Sequence, residues 1–149
     1  PSWLKIGFVE KNKLALRLKN GSQIKAVSAA SDAGRSEAIS FLIVDEAAFI
    51  EENRIEEIWA SSQQTLSTGG GAMVLSTPNG TGNFFHRMWT KAEEGLNGFT
   101  TIRLPWTVHP ERNQEWRDKQ EDELGPIMAA QECDCDFTNS GNTVRDVDL

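Results

Sequence analysis

Tyrosine is absent from this 149-residue chain, and cysteine and histidine occur only twice each. The missing Tyr excludes nothing by itself. Two cysteines, Cys133 and Cys135, are too few for a disulfide framework. On one strand they would point the same way but be badly set to bond each other. A zinc site would need at least two further ligands, and His86 and His109 lie far off in sequence. Buried, reduced thiols are the expectation, which fits an intracellular protein. No apolar run approaches the ~18 residues of a membrane-spanning helix, and no secretory signal is visible. A G-x-x-x-x-G-K-[ST] phosphate loop is also lacking. Gly69-Gly70-Gly71 has no Lys after it and leads into an apolar run. The stretch Thr77–Gly82 precedes a helical pattern but has no Lys either.

Positive charge is scarce, with 15 Lys and Arg against 22 Asp and Glu, for a net charge of −7. That total argues against a polyanionic partner, but the distribution is uneven. Residues 1–35 carry +5 and residues 36–149 carry −12. Electrostatic binding follows local patches more than totals, so the basic start either faces phosphate or is a solvated hairpin. Hydrophobic residues make up 38% of the chain, with five Trp and seven Phe. That is enough for one domain with one core. The chain opens at Pro1 and reads as mid-domain from its first residues, as a fragment of something longer would.

Residues 13–18 and 22–27 alternate polar and apolar around Asn20-Gly21, a strong hairpin signal because both turn residues tolerate positive φ. Phe41-Leu42-Ile43-Val44 is a continuous apolar run that ends at Asp45-Glu46, as expected of a central parallel strand buried on both faces. Residues 51–66 have helical spacing at Ile55, Ile58, Trp59 and Ser62, with Glu51, Glu52, Glu56 and Glu57 toward the N-terminal half. After the three glycines, Ala72–Leu75 reads as a second buried strand. A helix then starts near Asn83, with Phe84, Phe85, Met88, Trp89 and Ala92 as its apolar stripe. Thr100–Leu104 reads as a strand and Pro110–Leu124 as a helix with Pro at its first position. A short helix from about Pro126 to Glu132 is expected to lead into a strand at Cys133–Phe137. This order implies an open, mainly parallel α/β sheet flanked by helices, with its site at the carboxyl ends of the strands.

Two strand ends carry unusual polar chemistry. Adjacent carboxylates such as Asp45 and Glu46 repel each other and lose hydration at the tip of an apolar strand. They are best tolerated beside a cation such as Mg²⁺. On an ATPase sheet the Asp of such a pair holds the metal through water, and the Glu orients or deprotonates the water that attacks the γ-phosphate. The alternative is an ordinary strand end before a helix N-terminus that favours acids. Ser76-Thr77-Pro78-Asn79-Gly80 ends the next apolar run in small hydroxyls, able to bond an attacking water or a γ-phosphate. Read alone, it is a Pro-Asn-Gly turn. Arg35 is an isolated cation in a polar loop, either a surface residue or one that completes a neighbouring subunit's phosphate site.

Asn20-Gly21-Ser22, Arg35, Phe41–Phe49, Ser76–Gly80, and then Gln131-Glu132 with Phe137 and Ser140-Gly141 occur in that order. From about residue 8 to residue 144 this series resembles the large terminase subunit of tailed bacteriophages. The resemblance implies an ASCE-type, RecA-like P-loop NTPase domain whose phosphate-loop (Walker A) part would lie upstream. Residues 1–144 would be the part of the ATPase domain from Walker B to its end, and residues 145–149 the start of a linker toward an RNase H-like endonuclease domain. Asp146 and Asp148 would belong to that linker. Carried over by position, Asp45 would be the Walker B metal residue and Glu46 the catalytic glutamate. Ser76 and Thr77 would form the coupling motif, and Arg35 an arginine finger acting on the adjacent subunit. Gln131-Glu132 would lie near the junction with the next domain. The family often has Gly after that arginine, where this chain has Ser36.

The implied cofactors are ATP and Mg²⁺. The implied partners are double-stranded viral DNA, the portal protein, the small terminase subunit and further copies in a ring, with no membrane. The setting would be the cytoplasm of the bacterial host, transiently on the procapsid portal. A segment without a phosphate loop would hydrolyse no ATP alone. Two other readings compete. One is another ASCE ATPase, such as a helicase or a DNA-repair ATPase. The other is a non-enzymatic assembly module that binds portal, small subunit or DNA.

Overall fold

A computed structural model describes residues 7–29, 39–66 and 69–138. The chain divides into two compact units, Pro1–Ala38 and Ile39–Leu149.

In the first unit the Asn-Gly signal is realised. Strands β1 (Phe8–Lys11), β2 (Ala15–Leu18) and β3 (Gln23–Lys25) form an antiparallel sheet in that order. The β2–β3 hairpin pairs Arg17 with Gln23, Leu16 with Ile24 and Ala15 with Lys25. Its turn closes through the Gly21 amide on the Leu18 carbonyl at 3.0 Å. Gly21 has φ +87°, a conformation that costs a side-chain-bearing residue energy. Strand β1 was not expected. Its register on β2 slips between Phe8 and Glu10, and that bulge places Lys11 on the same face as Phe8, with Nζ 5.6 Å from the ring centroid. Asn12 closes the β1–β2 turn, its Oδ1 accepting from the amides of Leu14 and Ala15.

The second unit contains a β-α-β unit. Strand β4 (Phe41–Val44) lies parallel to β5 (Gly71–Val74) in the register Phe41–Gly71 through Val44–Val74. Helix α1 (Glu52–Leu66) makes the crossover that a parallel pair requires. The helical spacing over 51–66 holds, since Ile55 is fully buried and Ser62 nearly so. Helix α2 (Phe84–Glu93) starts as expected at Asn83, whose Oδ1 accepts from the His86 amide at 3.0 Å. The core gathers Val44, Ala47, Ala48, Ile55, Phe84 and Phe85, with Leu42, Trp59, Val74, Met88, Trp89 and Phe137 packed against it. Phe137 closes this core from far along the chain, its ring 5.8 Å from Phe85 and 5.9 Å from Trp89.

Two acids in the N-terminal half of α1, Glu52 in its first turn and Glu56, also tie the two helices together. Glu52 accepts from the Phe84 amide at 3.1 Å, at the N-terminus of α2, and both Glu52 and Glu56 pair with Arg87.

Several expectations are corrected. Strand β4 is not buried on both faces, because Phe41 and Ile43 are exposed and only Val44 is buried. Among the described residues β4 has a single hydrogen-bonded neighbour, and its core lies on one side. Thr100–Leu104 forms no strand, and Ile102 and Leu104 are exposed. Arg103 reaches instead to the carbonyls of Asp134 and Cys135, at 3.1 and 2.8 Å. Helix α3 spans Gln114–Leu124 and is capped by Asn113, so Pro110 lies in the preceding turn. The helix with Pro at its start is the short α4 (Pro126–Ala129). Its chain runs on as a π-helical turn, Ala130–Asp134, where a strand was expected at Cys133–Phe137. Arg117 explains the persistence of that helix. Buried on α3, it grips Asp134 in the π turn with two bonds, at 2.8 and 2.6 Å, and pairs with Glu121 at 3.0 Å.

Candidate functional site at the tips of the parallel strands

The apolar run of β4 ends at Val44, and the chain then turns at Glu46, whose φ of 53° and ψ of 40° are left-handed. For a residue with a side chain this conformation costs about 1–2 kcal/mol. Asp45 supports the turn, with Oδ1 accepting from the Glu46 amide at 3.0 Å. Both carboxylate residues are exposed. A single 3-10 turn, Ala47–Phe49, follows. Ala47 and Ala48 are buried in it, so small side chains fit at those positions.

The tip of β5 lies against this turn. The Leu75 amide donates to the Val44 carbonyl at 2.9 Å, and the Ala47 amide donates to the Leu75 carbonyl at 3.1 Å. The parallel ladder thus continues past both strand ends. Next along the chain, Ser76 Oγ accepts from the Ala48 amide at 3.1 Å. Asn79 Nδ2 donates to the Ala48 carbonyl at 3.1 Å, and the Asn79 carbonyl accepts from Asn83 Nδ2 at 2.8 Å. Pro78 and Gly80 are buried, while Thr77 is half-buried. The residues after β4 and those after β5 are therefore laced together side chain to backbone, and the second segment leads directly into the cap of α2.

Four of the five expected site residues come to one sheet end, namely Asp45, Glu46, Ser76 and Thr77. Arg35 lies outside the described residues. Gln131-Glu132 lies on the π turn, where Gln131 is buried and donates to Glu132 Oε1 at 2.9 Å. Asn79 is the residue that sequence reading missed. Within Pro-Asn-Gly its type is explained by the turn alone, and nothing in the chain signals that its amide clamps the neighbouring segment.

Among the described residues, two titratable groups away from the strand tips are shifted. The bonds to Asp134 hold the Arg117 guanidinium more firmly charged, against the opposing effect of its own burial. Burial raises the Cys133 thiol above its ordinary value, opposed in part by the nearby Arg117 charge.

The donors at the strand tips are two exposed carboxylates and two hydroxyls. An all-oxygen set of this kind suits a hard cation such as Mg²⁺, which usually keeps several waters and takes few protein ligands. Among the described residues no group of three or more His, Cys, Asp or Glu forms a closed metal cage. No helix among them is long and apolar enough to cross a membrane.

The family model of the terminase large subunit, T4-like-virus type, N-terminal part, matches residues 1–147 of the 149, and the chain belongs to that family.

Proposed function

We propose that this chain is part of the ATP-hydrolysing motor of a phage terminase large subunit, which moves double-stranded viral DNA into the procapsid. Membership of the terminase family supports the packaging role. The ATPase assignment rests on one observation: Ser76 Oγ and Asn79 Nδ2 lock the segment after β5 onto the turn that presents Asp45 and Glu46. In an open α/β sheet, the carboxyl ends of adjacent parallel strands are where a nucleotide site forms.

In this reading Glu46 takes a proton from the water that attacks the terminal phosphate, at its exposed carboxylate. Its backbone is left-handed, and such strain gathers at functional sites. Asp45 would hold Mg²⁺ through water, and the ion would supply charge neutralisation on the phosphates. Ser76 and Thr77 sense the state of the site and pass it on. The path is short, because the segment they begin reaches Asn83, the cap of α2.

The remaining assignments belong to the same proposal. The fold is that of an ASCE, RecA-like P-loop NTPase. Residues 1–144 belong to its ATPase domain and 145–149 begin a linker. Without a phosphate-loop lysine, this segment alone turns over no ATP. Arg35 serves the adjacent subunit of a ring that works with the portal protein and small terminase subunit in the host cytoplasm.

The test is Glu46→Gln in the full-length protein. Hydrolysis is expected to fall by roughly 10²–10⁴-fold with ATP binding retained. Rings that mix this variant with Arg35→Ala should recover part of the lost turnover. Turnover within a fewfold of the parent would remove Glu46 as the base, and failure of exchanging subunits to rescue one another would remove Arg35 as a finger in trans.

A further inference from the structure

The proposed ATPase chemistry leaves residues 7–29 of the first unit unused. Among residues 7–29 there are five cations, Lys11, Lys13, Arg17, Lys19 and Lys25, against one acid, Glu10. This contrasts with the −12 carried by residues 36–149. No described residue of this unit is buried, and all five cations are exposed.

The register sorts these residues onto two faces. Leu16 pairs with Lys11 and Ile24, and Leu18 pairs with Phe8, so Phe8, Lys11, Leu16, Leu18 and Ile24 share one face. Arg17 pairs with Glu10 and Gln23, and Ala15 pairs with Lys25, so these occupy the other. Lys19 joins Arg17's face. Its amide bonds the Gly7 carbonyl at 2.9 Å, and its side chain lies where a Gly7 Cβ would sit, 2.8 Å from Lys19 Cδ. The missing side chain at Gly7 is what lets Lys19 lie across the start of β1.

The polar face therefore carries Lys19 and Arg17 two residues apart along β2, and Lys25 on β3 opposite Ala15, a further two residues along and one strand across. The step along β2 is about 6.8 Å and the diagonal to Lys25 about 8 Å, comparable to the separation of successive phosphates on a nucleic-acid strand. Gln23 Oε1 accepts from Arg17 Nη2 at 3.4 Å and steadies the central guanidinium. Among the described residues the one acid on this face, Glu10, takes a bond from Asn12 at 2.9 Å. Spaced cations on a flat two-residue repeat suit a regular polyanion, and a β-ribbon is a shape that duplex DNA accommodates.

We propose that the face bearing Arg17, Lys19 and Lys25 contacts the phosphate backbone of double-stranded DNA, without reading its sequence. This rests on the packaging role in so far as DNA is the cargo. It does not depend on Glu46 acting as a base.

The experiment measures binding of the full-length protein to a random-sequence DNA duplex by fluorescence anisotropy across a salt series, without nucleotide. For Arg17→Gln/Lys19→Gln/Lys25→Gln the slope of log affinity against log salt should fall by about 2–3, at ~0.9 per lost phosphate contact. Affinity near 0.1 M salt should drop roughly tenfold or more. Arg17→Gln alone should remove about one unit of slope, Arg17→Lys almost none, and Lys11→Gln on the opposite face almost none. An unchanged slope in the triple variant overturns the proposal. So does an equal loss from Lys11→Gln, which would make the effect one of net charge, or an equal loss from Arg17→Lys, which would make it one of hairpin folding. Intact DNA binding with lost ring assembly would place an acidic protein surface on this face and also overturn it. Because no nucleotide is present, failure of the ATPase assignment leaves this result readable, and the converse holds for Glu46→Gln.

Discussion

The β-meander of residues 7–29 and the α/β unit that begins at Ile39 are organised by different forces. The meander has no buried residue, and it is specified by two tight turns, one bulge and a short antiparallel ladder. The α/β unit is specified by a core in which Ile55 is fully enclosed and Phe137 packs against Phe85 from 52 residues away in sequence. Order held by neighbours in sequence tolerates loss of an apolar group. Order held by packing does not.

Loss of a core side chain should sharpen this contrast most. Ile55→Ala removes a side chain with no exposed surface, and about 2–5 kcal/mol of stability should go with it. Ile24→Ala in the meander, at 65% exposure, should change stability by no more than ~0.5 kcal/mol. Hydrogen exchange in the full-length protein, read at the amides of α1 and of β2–β3, measures both. Similar losses at the two sites would break the comparison.

A smaller effect is expected at Arg117. Arg117→Ala strands Asp134, whose side chain keeps about a third of its surface (32%) exposed. The cost should be about 2–3 kcal/mol, below that of a fully buried pair. The raised guanidinium pKa contributes stability that is complete below the ordinary arginine value and is lost only far into alkali, above it. The difference between parent and variant should therefore not vary through ionisation of Arg117 between about pH 5 and 9. Exchange at Ala130–Asp134 reads this, because the π turn should open first.

A smaller loss than at Arg117 is expected at the turn of the meander. Gly21→Ala meets no atom within 4 Å, so its cost comes from the φ of +87° alone, about 1–2 kcal/mol. Faster exchange should be confined to β2 and β3, with α1 unchanged. Loosening of α1 by the same substitution would mean that the units do not hold their order separately.

The hairpin, α1 and α2 follow from features within a few residues of each element. Alternation around Asn20-Gly21 sets the first, and helical spacing from Ile55 to Ser62 sets the second. The errors occur where an element's fate lies with a distant partner. Thr100–Leu104 has the composition of a strand, yet Arg103 is engaged by carbonyls at residues 134 and 135. Cys133–Phe137 alternates like a strand, yet Arg117 holds its first residues helical through Asp134. Glu52 does sit in the first turn of α1, but that it and Glu56 also bind α2 through Arg87 and the Phe84 amide was not legible locally.

The sequence by itself determined which residues end the two apolar strands, because a strand buried on even one face must stop where its polar tip begins. Asp45, Glu46, Ser76 and Thr77 follow from that rule. Only the tertiary structure decided that the two tips lie bonded side by side. The bonds from the Ala48 amide to Ser76 Oγ and from Asn79 Nδ2 to the Ala48 carbonyl span 28 and 31 residues. They form only after α1 has crossed over and brought β5 beside β4, and no local pattern encodes a contact whose closure depends on that crossover.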